Sequence, residues 1–196
     1  MKKQLIFTGI GALLVISLFF GGNIVPKKIE QPTASKKEAK LFNINGFIKE
    51  AKQKLTPAQL TYLANLENTV TRGDVTTQQI QANTALANFW KDTTKALEPY
   101  IFYLTEASKL DNSEKNLTFA AQLILANLRS EQDEAKLNWE TEQAIGLFEQ
   151  ALKLNPTSAD LKIGLGSCYI FGKGRFGGAA ETMQGVQKVL EVVRTD

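Results

Sequence analysis

The sequence predicts an all-α fold from residue 45 onward, and three observations carry that prediction. Apolar residues recur at helical spacing in successive stretches. Caps, prolines and glycines punctuate those stretches. No alternating apolar and polar run is long enough to make a strand. Seven or eight short helices joined by tight turns would form an array of antiparallel hairpins.

Thr56 and Pro57 supply an N-cap and a first-turn proline, and Leu60, Leu63, Leu66 and Val70 then recur on one face. Gly73 and Asp74 stop that helix. A second run covers 76–95, and Glu98-Pro99 opens a third that ends near Asp111, Asn112 and Ser113. Residues 113–129 place Leu117, Ala120, Ala121, Ile124 and Leu128 on one clean face. Residues 134–154 do the same with Leu137, Ala144, Phe148 and Ala151. Two further helices follow, over 158–171 and 178–194.

Ahead of this region lies a different kind of segment. Lys2 and Lys3 precede an uncharged run from Leu5 to Val25. As a helix it would be about 30 Å long, the thickness of a bilayer's hydrocarbon. It has no polar stripe, and no small-x-small cleavage site follows Phe20, so residues 1–25 read as a retained membrane anchor rather than a cleaved signal. Residues 26–44 are lysine-rich and read as a flexible tether, and 45–196 as the helical domain. The expected location is the inner membrane, with a single span through residues 5–25. Its orientation is pulled two ways. Positive-inside counting over Lys27 to Lys40 puts the domain in the cytoplasm, whereas the short two-lysine amino terminus resembles that of an exported chain. The reading adopted is an extracytoplasmic domain.

Charge and composition exclude several functions. The net charge of +3 divides into two halves. Residues 1–54 carry ten lysines against three glutamates, and the rest carries thirteen Lys/Arg against seventeen Asp/Glu. Cations that flank an apolar segment, with a mildly acidic remainder, do not make a nucleic-acid surface. The chain contains no histidine, which removes imidazole bases and histidine metal ligands. Its one cysteine, Cys168, forms no internal disulfide and is read as a small buried residue. Residues 172–177 fit G-x-G-x-x-G, but a helix rather than a strand precedes them, so they read as a flexible interhelical turn. Glu131, Asp133, Glu134, Glu140 and Glu142 read as solvated charges at helix ends. Trp90 and Trp139 read as packing residues. No catalytic residue, cofactor or metal is expected.

An internal repeat points further. Residues 107–112 and 151–156 are two copies of one helix ending, 44 positions apart. Around the second copy, Ala144, Phe148 and Ala151 are followed by Pro156, and the next unit opens with Leu165, Gly166 and Tyr169. In these positions the chain resembles the tetratricopeptide repeat, a helix–turn–helix unit of about 34 residues. The resemblance covers 113–196 best. The 76–112 hairpin matches loosely, with Tyr100 and Leu104 where the motif has Ala and Phe. Longer connections at 130–136 and 172–178 depart from the usual unit length.

The resemblance implies a hairpin solenoid that binds protein partners, here a membrane-anchored scaffold or assembly factor. Gly185, Val189 and Val192 continue the core pattern to the last helix without a polar cap after it. That pattern raises two expectations: a truncated longer repeat protein, or self-association through the uncapped C-terminal end. The alternative from another class is an envelope enzyme or ligand-binding protein on the same scaffold. It would use acidic residues such as Glu131 or Asp133.

Overall fold

The computed structural model describes residues 41–72 and 75–193, all within one compact unit that begins at Ala39. Every regular element among them is helical. They are α1 (Ile44–Lys52), α2 (Pro57–Arg72), α3 (Thr76–Phe89), α4 (Leu97–Asp111), α5 (Glu114–Leu128), α6 (Glu134–Leu154), α7 (Ala159–Cys168), the short α8 (Gly174–Gly177) and α9 (Ala179–Val193). Among the described residues no helix is long and apolar enough to cross a membrane. The apolar run at 5–25 and most of the tether lie outside the described residues.

Local chemistry explains where the helices start. Thr56 and Gln59 form a reciprocal capping box. The Thr56 N–H donates to Gln59 Oε1 at 2.8 Å, and the Gln59 N–H donates to Thr56 Oγ1 at 3.4 Å. Asn43, Ser113, Asp133 and Ser158 each accept backbone N–H groups at the starts of α1, α5, α6 and α7. Asn112 ends α4 in the left-handed region, at φ 48°, which asparagine tolerates.

Two π-helical turns were not legible in the sequence. Trp90–Thr94 continues α3 and ends at Lys95 (φ 52°), with the Ala96 N–H donating to the Trp90 carbonyl at 3.1 Å. Tyr169–Lys173 continues α7 directly into α8. The expected flexible turn at 172–178 is therefore mostly helix. The chain breaks at Gly178, whose φ of 94° suits a residue without a side chain.

Packing proceeds along the chain. α2 lies on α3, α3 on α4, α4 on α5, α5 on α6, α6 on α7 and α7 on α9. Next-but-one contacts join α4 to α6 and α5 to α7. The similar helix endings 107–112 and 151–156 are thereby brought close to each other. Gln150 of α6 donates to Asn112 Oδ1 at 2.7 Å, tying the end of one copy to the other. Equivalent residues share environments: Ala107 and Ala151 are buried, while Leu110 and Leu154 are exposed.

The core has two clusters that meet at α4. Ile48, Leu63, Leu86, Trp90, Tyr100 and Tyr103 form the first. The second gathers Ile101 with the predicted stripes of α5 and α6, then Leu161, Leu165 and Cys168. Leu97, Leu104 and Leu123 touch both. Each large side chain so buried contributes about 1.5–3 kcal/mol. One stripe residue departs from expectation. Leu60 is exposed because α2 turns Leu63 inward, with Leu66 and Val70 beside it.

Small residues set the helix spacing. A Cβ on Gly164 would sit 2.5 Å from the Phe148 ring, so α7 lies directly on that ring. A Cβ on Gly166 would sit 2.7 Å from Val189 and 2.8 Å from the Gly185 carbonyl, so α7 and α9 touch backbone to backbone. Gly146, by contrast, faces open space on α6. Gly166→Ala should cost about 1–3 kcal/mol in a urea unfolding series. Gly146→Ala should stabilise by about 0.5–1 kcal/mol in the same series.

Candidate functional site

The repeat residues are core positions. Ala144, Phe148 and Ala151 are wholly buried, Leu165 nearly so, and Gly166 sits at the α7–α9 crossing. Tyr169 is half-buried in the π-helical turn, with Lys188 of α9 over its ring at 5.5 Å. Pro156 follows the end of α6 and borders a cavity with Leu152, Lys162, Leu165 and Lys188. Trp90 is fully buried. Trp139 is half-buried, with the Phe42 ring 5.2 Å away. Cys168 is wholly buried, and burial alone pushes its thiol up to about 12, so it stays neutral and unreactive.

Several surface cavities of similar volume open among the described residues, and one of them is shaped by three helices. α5 and α7 meet, but α3 and α5 scarcely do, and a groove of about 290 Å³ opens between them over α4. Its floor is Tyr100, Leu104, Ala107, Ser108 and Asp111, one face of α4. Ile80, Thr84, Ala87, Asn88 and Lys91 of α3 form one wall, and Asn116 and Phe119 of α5 the other. Phe119 is 55% exposed, a large apolar side chain left in water at the rim. From Tyr100 to Asp111 the floor runs about 16 Å at the rise of an α-helix.

The groove is electrically polar along its length. Lys91 stands at one end, 5.8 Å from the centre of the Tyr100 ring. Asp111 stands at the other. Its carboxylate accepts hydrogen bonds from the Ser113 hydroxyl and from Asn116 Nδ2, which hold it below the usual carboxylate range. It remains charged at any physiological pH.

The groove floor differs from the equivalent position 44 residues later. Tyr100 occupies the place in its hairpin that Ala144 occupies 44 residues later. Ala144 lies within a closely packed α5–α6–α7 region, whereas the bulky Tyr100 ring lies between the walls α3 and α5. The stretch 76–112, which matches the repeat pattern loosely, supplies the α3 wall and the α4 floor.

A second cluster is polar and internal. Glu140 was expected in solvent with its acidic neighbours, yet it is wholly buried between α5 and α6. Both of its oxygens accept from Asn127 Nδ2, at 2.8 and 3.1 Å. Burial pushes its carboxyl up to about 7, against the opposing pull of the Asn127 bond. Glu98 of α4, itself nearly buried, is paired with Lys136 of α6. Arg175 of α8 donates to the carbonyls of Leu128 and Glu131, at 3.1 and 2.6 Å, clasping the α5–α6 connection.

Glu131 and Asp133 act at the start of α6, whereas Glu142 lies in the middle of that helix. Glu131 Oε1 accepts the Gln132 and Asp133 N–H groups, and Asp133 Oδ1 accepts those of Ala135 and Lys136. Glu142 is exposed and paired with Lys173. Among the described residues no group of three or more His, Cys, Asp or Glu side chains could hold a metal ion.

No protein-family model matches the chain, and neither a curated protein nor a solved structure is significantly similar to it.

The Glu98–Lys136 pair gives a direct stability test. Removing one partner leaves a nearly buried charge without its counter-ion. Lys136→Met should cost about 2–3 kcal/mol in urea unfolding at pH 7. Adding Glu98→Gln to that variant should recover most of the loss.

Proposed function

We propose that the chain is a protein-binding scaffold, a solenoid of tetratricopeptide-like hairpins held at a membrane by residues 5–25. The observation that carries this reading is the groove over α4. It is a half-open trough, about 16 Å long at helical rise, with a largely apolar floor, an exposed phenylalanine at the rim and opposite charges at its ends. Such a trough suits a short peptide segment or one face of a helix better than a small molecule.

The similar helix endings brought close to each other and the buried Ala144, Phe148 and Ala151 support the hairpin-stack part of the proposal. Its membrane part is supported by the sequence alone: an uncharged run of bilayer length between lysines. An anchor would hold the groove near one compartment's membrane proteins and raise the effective concentration of a tethered partner. A helper in the assembly of an envelope complex fits those properties.

The partner's chemistry follows from the groove. Apolar side chains would cover Leu104, Ala107 and Phe119, an acidic group would lie near Lys91, and a basic group near Asp111. A photo-crosslinking residue at position 119 of the full chain, in its native cells, should yield one defined adduct. The same residue at Glu149, on the exposed surface of α6, should not. Asp111→Lys should reduce the adduct at 119 at least about fivefold, since reversing an end charge costs on the order of 1 kcal/mol or more. Equal labelling from both positions would contradict the assignment of the groove.

A further inference from the structure

The groove makes no use of the buried carboxyl of Glu140. Glu140 is a carboxyl with no access to water, hydrogen-bonded by the neutral Asn127 amide. The groups facing it come from each neighbouring element. Glu98 lies across from α4, Glu131 in the α5–α6 connection, and Lys136 one turn earlier on α6. Two of these three are carboxylates, and the one cation, Lys136, is engaged by Glu98. Arg175 is directed to the connection's carbonyls, and Lys173 to Glu142. From α7 and its π-helical continuation the neighbouring contact is Gly172 against Thr141, which brings no charge.

An ionised Glu140 therefore meets three unfavourable conditions together: lost hydration, two nearby carboxylates and a cation already in use. A protonated Glu140 meets none of them. It needs one acceptor for its O–H, which Asn127 Oδ1 can provide once the amide turns over.

We propose that Glu140 is a protonation switch that sets how tightly α5 and α6 close. In the closed junction a proton from solvent sits on a Glu140 oxygen. When that proton returns to solvent, the carboxylate regains water only if the helices part at Asn127 and Glu140, and the junction loosens. The sign follows from linkage. The folded junction binds the proton more tightly than an open or unfolded chain, so closure is favoured at low pH and weakens as pH rises from about 4.5 toward 7. Above that window the penalty is constant. Most acid-sensitive proteins show the reverse trend, because their carboxylates are stabilised by folding.

Position makes the switch consequential. α5 carries Asn127 on its inner face and the groove residues Asn116 and Phe119 on another. The Glu98–Lys136 pair, beside Glu140, joins α6 to α4, the groove floor. A loosened α5–α6 junction thus acts on two of the three helices that shape the groove.

The test is hydrogen exchange on the full chain in detergent micelles between pH 5 and 8.5, corrected for intrinsic exchange rates. Protection of α5 and α6 amides near residues 120–128 and 137–145 should fall at least about tenfold as pH rises, the factor carried by one unit of pKa difference. Protection in α2 should not follow it. Glu140→Gln, which keeps the shape and removes the charge, should make the profile flat. A parallel carbon NMR titration of the unmodified chain, with labelled glutamate carboxyls, does not depend on the variant folding. It should show one carboxyl titrating near neutrality, a signal that is missing in Glu140→Gln. A Glu140 carboxyl titrating below pH 5, or an unchanged exchange profile in Glu140→Gln, would overturn the proposal.

Discussion

How closely the helices can approach one another governs everything else in this domain. Phe148 reaches the body of α7 because Gly164 offers no Cβ, and α9 reaches α7 because Gly166 and Gly185 face each other. Remove that proximity and the apolar stripes of α5, α6 and α7 lose the neighbours that keep them from water. No one hairpin here buries its own core; Ile101, Leu117, Phe148 and Leu161 come from four helices and share one cluster. Stability is then a property of neighbouring helices rather than of any one hairpin.

The same constraint produces the candidate site. Where the repeat places alanine, successive helices close against each other. Where it places Tyr100, the ring stands in the gap and α3 stays away from α5. The groove has the large Tyr100 in its floor, where the position 44 residues later holds the small Ala144. Its end charges, Lys91 and Asp111, are set by the antiparallel run of α3 and α4: the last turn of one lies beside the first turn of the other. Core and groove meet in α4, which contributes Tyr103 to one core cluster, Ile101 to the other, and its third face to the groove.

Much of the fold was written locally. Thr56-Pro57, Ser113 and Asp133 mark helix starts by chemistry that needs no tertiary partner, and the five-residue stripe of α5 is buried without exception. Other features depend on distant residues and left no local trace. Glu140 looks like any surface glutamate in a charged helix until Asn127, thirteen positions earlier, covers it. Residues 172–177 read as a loop because glycines favour loops, yet Gly172 is needed where the turn presses on Thr141. Leu60 fits the apolar period of α2 yet is exposed, while Leu63, Leu66 and Val70 join the core. The groove was visible only as a poor match to the repeat, a departure whose spatial meaning required the neighbouring helices.

The glycine contacts that bring the hairpins together can be observed directly in solution. A methyl and glycine NOE spectrum of the full chain should show Gly166 Hα close to both Gly185 Hα and the Val189 methyls, and Gly164 Hα shifted upfield by the Phe148 ring. If those cross-peaks are absent and Gly164 resonates at an ordinary helical position, the helices do not stack as described, and neither the groove nor the Glu140 junction would stand.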